Sequence, residues 1–211
     1  MKNKIITIDG TAGSGKRRIS IYIKKKWGFF HLDSGVLYRR LGKLFIKNKV
    51  EMTNFKKIDS FLKKTKNISP RNNKTLRTEN ISKIASKIAT IKKVREFINI
   101  QQKIIVKKEL KKRGCVIDGR DIGSVVFKNA SLKIFVKVNE KIRAKRRHKQ
   151  LNDIGEKSIY AKILKEIKLR DKKDKSRKNS PLVIPRGAHI IDNSGNFQNT
   201  VKQINKIIKI K

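Results

Sequence analysis

An apolar run, Ile5-Ile6-Thr7-Ile8, leads into Gly10-Thr11-Ala12-Gly13-Ser14-Gly15-Lys16-Arg17-Arg18, and a helical pattern follows. No other stretch limits the fold so strongly. A strand, a glycine-rich turn and a helix in that order present backbone N–H groups at a helix N-terminus, where they can curl around an anion. The spacing of Gly10, Gly15 and Lys16 fits the phosphate-binding pattern G-x-x-x-x-G-K, whose lysine reaches the terminal phosphates. The general pattern continues with a Ser or Thr whose hydroxyl ligates Mg2+, and here Arg17 and Arg18 stand instead.

Short apolar runs alternate with helical patterns along the rest of the chain. Lys4 to Asp9, Phe29 to Asp33, Cys115 to Asp118, Leu132 to Val138 and His189 to Asp192 read as strands. Five strands separated by helices imply an α/β fold, a five-stranded parallel sheet with helices on both faces. A length of 211 residues suits one such domain, not two. Helical spacing is clearest at Ile81, Ile84, Ala85, Ile88 and Ala89 and at Phe197, Val201, Ile204 and Ile208, stripes that face a core. The segment from about Asn48 to Thr78 holds Ser69-Pro70 and Asn72-Asn73 without a strand pattern, so it reads as an insertion or a flap.

The 57 Lys and Arg against 16 acidic residues give a net charge of +41. Such a balance points to a polyanion, a phosphate ligand or an anionic membrane. The lysines are spread along the whole chain and are not gathered in one tail, which fits a general compositional bias better. Cys115 is the only cysteine, which excludes a disulfide framework and a cysteine-based zinc cluster and fits a reducing cytosol. No run approaches membrane-spanning length and no signal-peptide pattern opens the chain, so a cytoplasmic protein is expected. His31, His148 and His189 are isolated in sequence and are expected in surface or packing roles.

Two further constellations carry chemistry. Leu32-Asp33-Ser34-Gly35-Val36-Leu37-Tyr38-Arg39-Arg40 begins at the carboxyl end of the second strand, the edge of an open parallel sheet where ligands bind. Ser34 is a candidate helix cap, and Arg39, one turn in, would point back toward the phosphate loop. Asp118-Gly119-Arg120-Asp121 ends the Val116-Ile117 strand. There Asp118 can offer a carboxylate to Mg2+, and Arg120 can grip a phosphate through its planar fork.

Taken together, the three constellations resemble the cytidylate kinases, bacterial nucleoside monophosphate kinases. The resemblance continues through Ile84-Ala85-Ser86, Val94-Arg95-Glu96, Arg143-Ala144-Lys145-Arg146-Arg147, Glu166-Ile167-Lys168-Leu169-Arg170-Asp171, Arg177 and Pro181-Leu182. It implies a single P-loop kinase domain over 1–211, with a short monophosphate-binding insertion at about 48–90 and a helical lid at about 143–178. It implies ATP and Mg2+ as cofactors, and CMP or dCMP as acceptor. Residues 10–18 with Arg143 and Arg146 would hold ATP. Ser34, Ser86, Arg95, Asp121 and Arg177 would surround the cytosine. Arg170 and Asp174, with Tyr38, would hold the ribose, and Arg39 and Arg120 would clamp the acceptor phosphate. Lys16, Arg39, Arg120, Arg147 and Arg170 would offset charge during transfer, and Asp118 would serve the metal.

Two departures stand out. Arg18 occupies the family's Thr position and Arg17 its Gly position, so the hydroxyl ligand is missing. The region between Arg39 and Ser86 is shorter than the usual insertion, and its small sheet is not evident. UMP is a competing acceptor, and a basic nucleic-acid-binding protein with a degenerate loop is the competing class. The resemblance implies a monomer with no specific nucleic-acid or membrane partner.

Overall fold

The computed structural model describes residues 4–153 and 155–208. The chain runs through β1 (Ile5–Gly10), α1 (Lys16–Trp27), β2 (Phe30–Asp33), α2 (Ser34–Lys47), α3 (Phe55–Lys64), a 3-10 turn (Lys74–Arg77), α4 (Glu79–Ile88) and α5 (Lys92–Leu110). It continues with β3 (Cys115–Gly119), a π-helical turn (Ile122–Val126), β4 (Leu132–Lys137), α6 (Glu140–Asn152), α7 (Tyr160–Ser176), β5 (His189–Asp192) and α8 (Phe197–Ile207). The strands form one sheet in the order β2-β3-β1-β4-β5, and every neighbouring pair is parallel. All five expected strands are present, with ends shifted by at most one residue.

Strand alternation divides the core into two layers. Cys115 and Ile117 of β3 face an apolar cluster with Leu37, Leu41, Ile58 and Ile98, beneath α2, α3 and α5. Val116, between them, points the other way and joins Ile8, Ile19, Ile23 and Ile204, beneath α1 and α8. Burying each such aliphatic side chain is worth roughly 1.5–3 kcal/mol, so a sheet covered on both faces needs no other cement. The stripes expected on α4 and α8 bury Ile81, Ala85 and Ile88, and Ile204 with Ile208. No described helix is long and apolar enough to cross a membrane.

Residues 48–78 hold α3 and the 3-10 turn. Ile58, Leu62, Ile68 and Leu76 are buried, and the Gln101 side chain on α5 accepts from Ile68 N–H (3.1 Å) and donates to the Lys66 carbonyl (3.1 Å). The cap expected of Ser34 is not made: α2 already begins at Ser34, Asp33 stands in the cap position, and no side chain bonds the free N–H groups there.

Register sets up the site. Ile8 on β1 and Asp33 on β2 both pair with Asp118, and Asp9 pairs with Gly119. The carboxyl ends of β2, β3 and β1 therefore deliver Asp33, Asp118 and the phosphate loop to one edge. At the opposite edge, Gly114 leads into β3 against the buried ring of Phe29. A Cβ there would lie 2.6 and 2.7 Å from two ring carbons. Gly114→Ala is expected to destabilise the fold by about 1–3 kcal/mol through overpacking, read as a lower urea midpoint with an unchanged slope.

Candidate active site

The loop between β1 and α1 is closed around its lysine. Lys16 Nζ donates to the carbonyls of Gly10 (2.8 Å) and Thr11 (2.6 Å) and to Ser14 Oγ (3.3 Å). Burial holds its pKa well below the usual lysine value, Arg120 pushes the same way, and the carboxylates of Asp118, Asp9 and Asp174 oppose both. Two glycines make this path possible. A Cβ on Gly10 would lie 2.5 Å from the Val136 carbonyl, and Gly15 turns into α1 at a φ of 87°.

Neighbouring elements brace the loop from outside. The buried Asn193 side chain, just after β5, donates to the Ser14 carbonyl (2.8 Å) and accepts from Thr200 Oγ1 (2.8 Å). Arg143 at the start of α6 donates to the carbonyls of Val138 (3.1 Å) and Ala12 (3.0 Å) and makes a bidentate pair with Asp171 on α7. Arg146 donates to three successive carbonyls, Asn193, Ser194 and Gly195, at 2.8–3.0 Å. The guanidinium groups of Arg143 and Arg146, expected on ATP, are thus committed here to protein oxygens. Arg17 is exposed, and Arg18 lies 3.9 Å from the centre of the Phe197 ring, a cation–π contact with α8. Arg147 is exposed on α6 and bonds Gln150 (3.1 Å).

A second group of residues gathers at the ends of β2 and β3. Arg95 on α5 pairs with Asp121, both almost wholly buried. Arg177 comes within 3.9 Å of the other Asp121 oxygen and 3.6 Å of Asp174. Arg120 Nε donates to Asp174 at 3.0 Å. Arg39 lies 3.9 Å from Asp33, and Arg170 is in electrostatic reach of Arg120, Asp174 and Arg39. Ser34 is buried at the start of α2, beneath Gly119. The Tyr38 hydroxyl is buried with no hydrogen-bond partner, and burial raises its pKa to about 12. Ser86 is exposed on α4. The charges of Glu79 on α4 and Arg147 with Lys162 on α6 and α7 sense one another, as do those of Lys83 and Glu166, so α4 lies near the α6–α7 pair.

Several site residues were invisible to spacing. His31, expected in a surface or packing role, sits on β2 with its Nε2 2.5 Å from Asp118 Oδ1 on the next strand. Asp9 is fully buried and accepts from the N–H groups of Ile122 (2.8 Å) and Gly123 (2.7 Å). Burial raises its pKa to about 6, against the pull of those two bonds. The one sequence signal was position: each of Asp9, Asp118 and Asn193 follows an apolar strand at its carboxyl end.

A phosphate loop opening α1, set beside an arginine-rich pocket on the same edge of a parallel sheet, defines a P-loop phosphotransferase of the nucleoside monophosphate kinase class. Solved structures share the fold. A protein from Eubacterium ventriosum superposes with a TM-score of 0.58 at 16% identity, covering 99% of this chain and 100% of that one. Shikimate kinase from Bacteroides thetaiotaomicron gives 0.52 at 10% identity, covering 98% and 99%. The cytidylate kinase family model matches residues 6–210. The cytidylate kinase of Rickettsia rickettsii is 39% identical over 211 residues, 100% of this chain and 94% of that protein. That of Rickettsia canadensis is 41% identical over 193 residues, 92% and 86%. The chain belongs to the cytidylate kinase family.

Lys16→Ala is expected to abolish turnover while circular dichroism and the unfolding transition stay close to wild type. A cation that acts in the transition state is typically worth several kcal/mol to the rate. Near-normal turnover in the variant would remove the loop from the chemistry.

Proposed function

We infer that this chain transfers the γ-phosphoryl group of ATP to CMP and dCMP. The observation that carries the acceptor side is the run of ion pairs Arg95–Asp121–Arg177–Asp174–Arg120, which ends in electrostatic reach of Lys16. At one end a buried Arg–Asp pair offers donors and acceptors suited to the edge of a cytosine. At the other, Arg120 with Arg39 offers guanidinium forks to a phosphate. Asp174 lies between, within reach of Arg170, where a ribose hydroxyl needs an acceptor. The unpartnered Tyr38 hydroxyl supports a polar ligand there.

The acceptor phosphate already carries an ionised oxygen, so no general base is required for in-line attack. Two anions must come within bonding distance, and Lys16, Arg39, Arg120 and Arg170 offset their repulsion. We place 48–90 and 143–178 as the segments that close over the nucleotides and exclude water, with Arg147 and Lys162 meeting Glu79 across the cleft. The buried thiol of Cys115, its pKa raised to about 12 mainly by burial, suits a cytoplasmic setting.

The donor set fits a metal carried by the nucleotide. Among the described residues no group of three or more His, Cys, Asp or Glu side chains is placed to hold an ion, so the nucleotide's phosphates would supply most of the ligands. Mg2+ favours one carboxylate plus substrate phosphates and water, and Asp118 at the end of β3 can supply that carboxylate. Bound there, the ion would neutralise charge on the transferring phosphates.

A coupled assay of ADP release against CMP, dCMP, UMP and AMP tests the acceptor, and a faster rate with UMP than with CMP overturns it. In the same assay Arg120→Ala is expected to raise the KM for CMP by roughly ten- to a hundredfold, with ATP affinity measured alone nearly unchanged. Collapse of ATP affinity with CMP binding intact would move Arg120 to the donor side.

Arg17 and Arg18 stand where the general pattern has a hydroxyl ligand for the metal, and positive charge close to that ligand's place would weaken Mg2+ binding. Holding Arg18 on Phe197 reduces that to a field effect from exposed charges, which salt screens. The double substitution Arg17→Gly with Arg18→Thr is expected to lower half-saturating Mg2+ by about two- to fivefold at low salt and hardly at all at high salt. A drop that survives high salt would mean that Thr had regained a direct metal contact.

A further inference from the structure

A helical turn leaves its first N–H groups without partners, and the residue just before it commonly caps them with its own side chain, aspartate being among the best. Asp121 holds that position before the π-helical turn Ile122–Val126, yet its side chain caps nothing. Its carboxylate is turned to Arg95 and Arg177 instead. The N–H groups of Ile122 and Gly123 donate to Asp9, one to each oxygen, at 2.8 and 2.7 Å. Asp9 belongs to β1, immediately before the phosphate loop, and is fully buried. The turn is seated directly on that strand: a Cβ on Gly123 would lie 2.7 Å from Thr7 Oγ1 and 3.2 Å from Asp9 Oδ2.

A carboxylate turned back onto its own turn would face away from the two arginines that Asp121 now serves. If Asp121 capped its own turn it would leave the guanidinium of Arg95, itself 4% exposed, buried without its counter-ion. We propose that Asp9 is a positioning residue for base selection: by capping the π-helical turn from the neighbouring strand, it frees Asp121 to face Arg95, Arg177 and the acceptor's base. This rests on the reading above that Asp121 lies on the cytosine side. It also means that the residue preceding the donor loop helps to decide which acceptor is used.

Asp9→Asn keeps the shape but turns one N–H group of its amide toward a backbone N–H, so one member of the turn loses its acceptor and Asp121 becomes the nearest substitute. The expected result is a fall in the ratio of kcat/KM for CMP over UMP of about tenfold, equivalent to ~1.4 kcal/mol, with the KM for ATP within about twofold of wild type. Amide hydrogen exchange at Ile122 and Gly123, followed by NMR, should quicken in the same variant. Gly123→Ala pushes the turn off Asp9 without changing any charge, and should shift selectivity in the same direction; it decides the matter alone if Asp9→Asn does not fold. Asp121→Asn serves as the reference. Unchanged selectivity in Asp121→Asn overturns the reading of the site. Lost selectivity there, with selectivity kept in the folded Asp9 and Gly123 variants, overturns the proposal and leaves that reading standing.

Discussion

Joining two phosphates demands a concentration of positive charge, and that charge must be held together before any anion arrives. Arg120 stands in the field of both Lys16 and Arg170, Arg39 in that of Arg170, and Arg95 in that of Arg177, and without counter-charges these cations would push one another apart. Shared carboxylates prevent this. Asp174 serves both Arg120 and Arg177, and Asp121 serves both Arg95 and Arg177. Each acid lies between two bases, so the pocket is a lattice of opposite charges. Lys16 follows the same logic inside its loop, where two carbonyls stand in for phosphate oxygens. Such contacts are preorganised and cost little rearrangement during transfer.

The same economy links the α6–α7 pair to the phosphate loop. Arg143 joins α6 to α7 through Asp171 and joins both to the phosphate loop through the Ala12 carbonyl. Arg146 joins α6 to the loop after β5, whose Asn193 in turn holds Ser14. The resemblance alone gave these arginines to ATP. In the structure their donors reach backbone carbonyls and, for Arg143, the Asp171 carboxylate as well, which ties the base of the helical pair to the donor loop. Arg147, one position further on, is exposed and bonds Gln150 on its own helix.

Much of the fold could be read from the chain because its determinants are local. The short apolar runs placed every strand, and the 3.6-residue stripes of α4 and α8 placed their buried faces. The phosphate loop was legible for the same reason: its strand, glycines and lysine are contiguous. What was not legible depends on pairing between strands distant in sequence. His31 looked isolated because its partner, Asp118, lies 87 residues away and meets it only when β2 is laid beside β3. Asp9 looked like the end of a strand because its partners are N–H groups, which leave no mark in a sequence. Ser34 looked like a cap because residue type alone does not say that the helix has already begun.

The charge balance of the whole chain gains meaning from where its acids lie. Of 16 acidic residues, Asp9, Asp33, Asp118, Asp121, Asp171 and Asp174 line or brace the cleft. Several of the others form exposed pairs with lysine, such as Glu79 with Lys83 and Glu51 with Lys57. Those pairs contribute little to stability, so exchanging them for more lysine would alter the net charge and hardly the fold. The acids of the cleft are different in kind, because a buried arginine without its carboxylate is far more costly than a lost surface pair. A chain can therefore drift to a large positive charge across its surface while its site stays electrostatically balanced. In this chain the surface has done so, and the cleft keeps its acids.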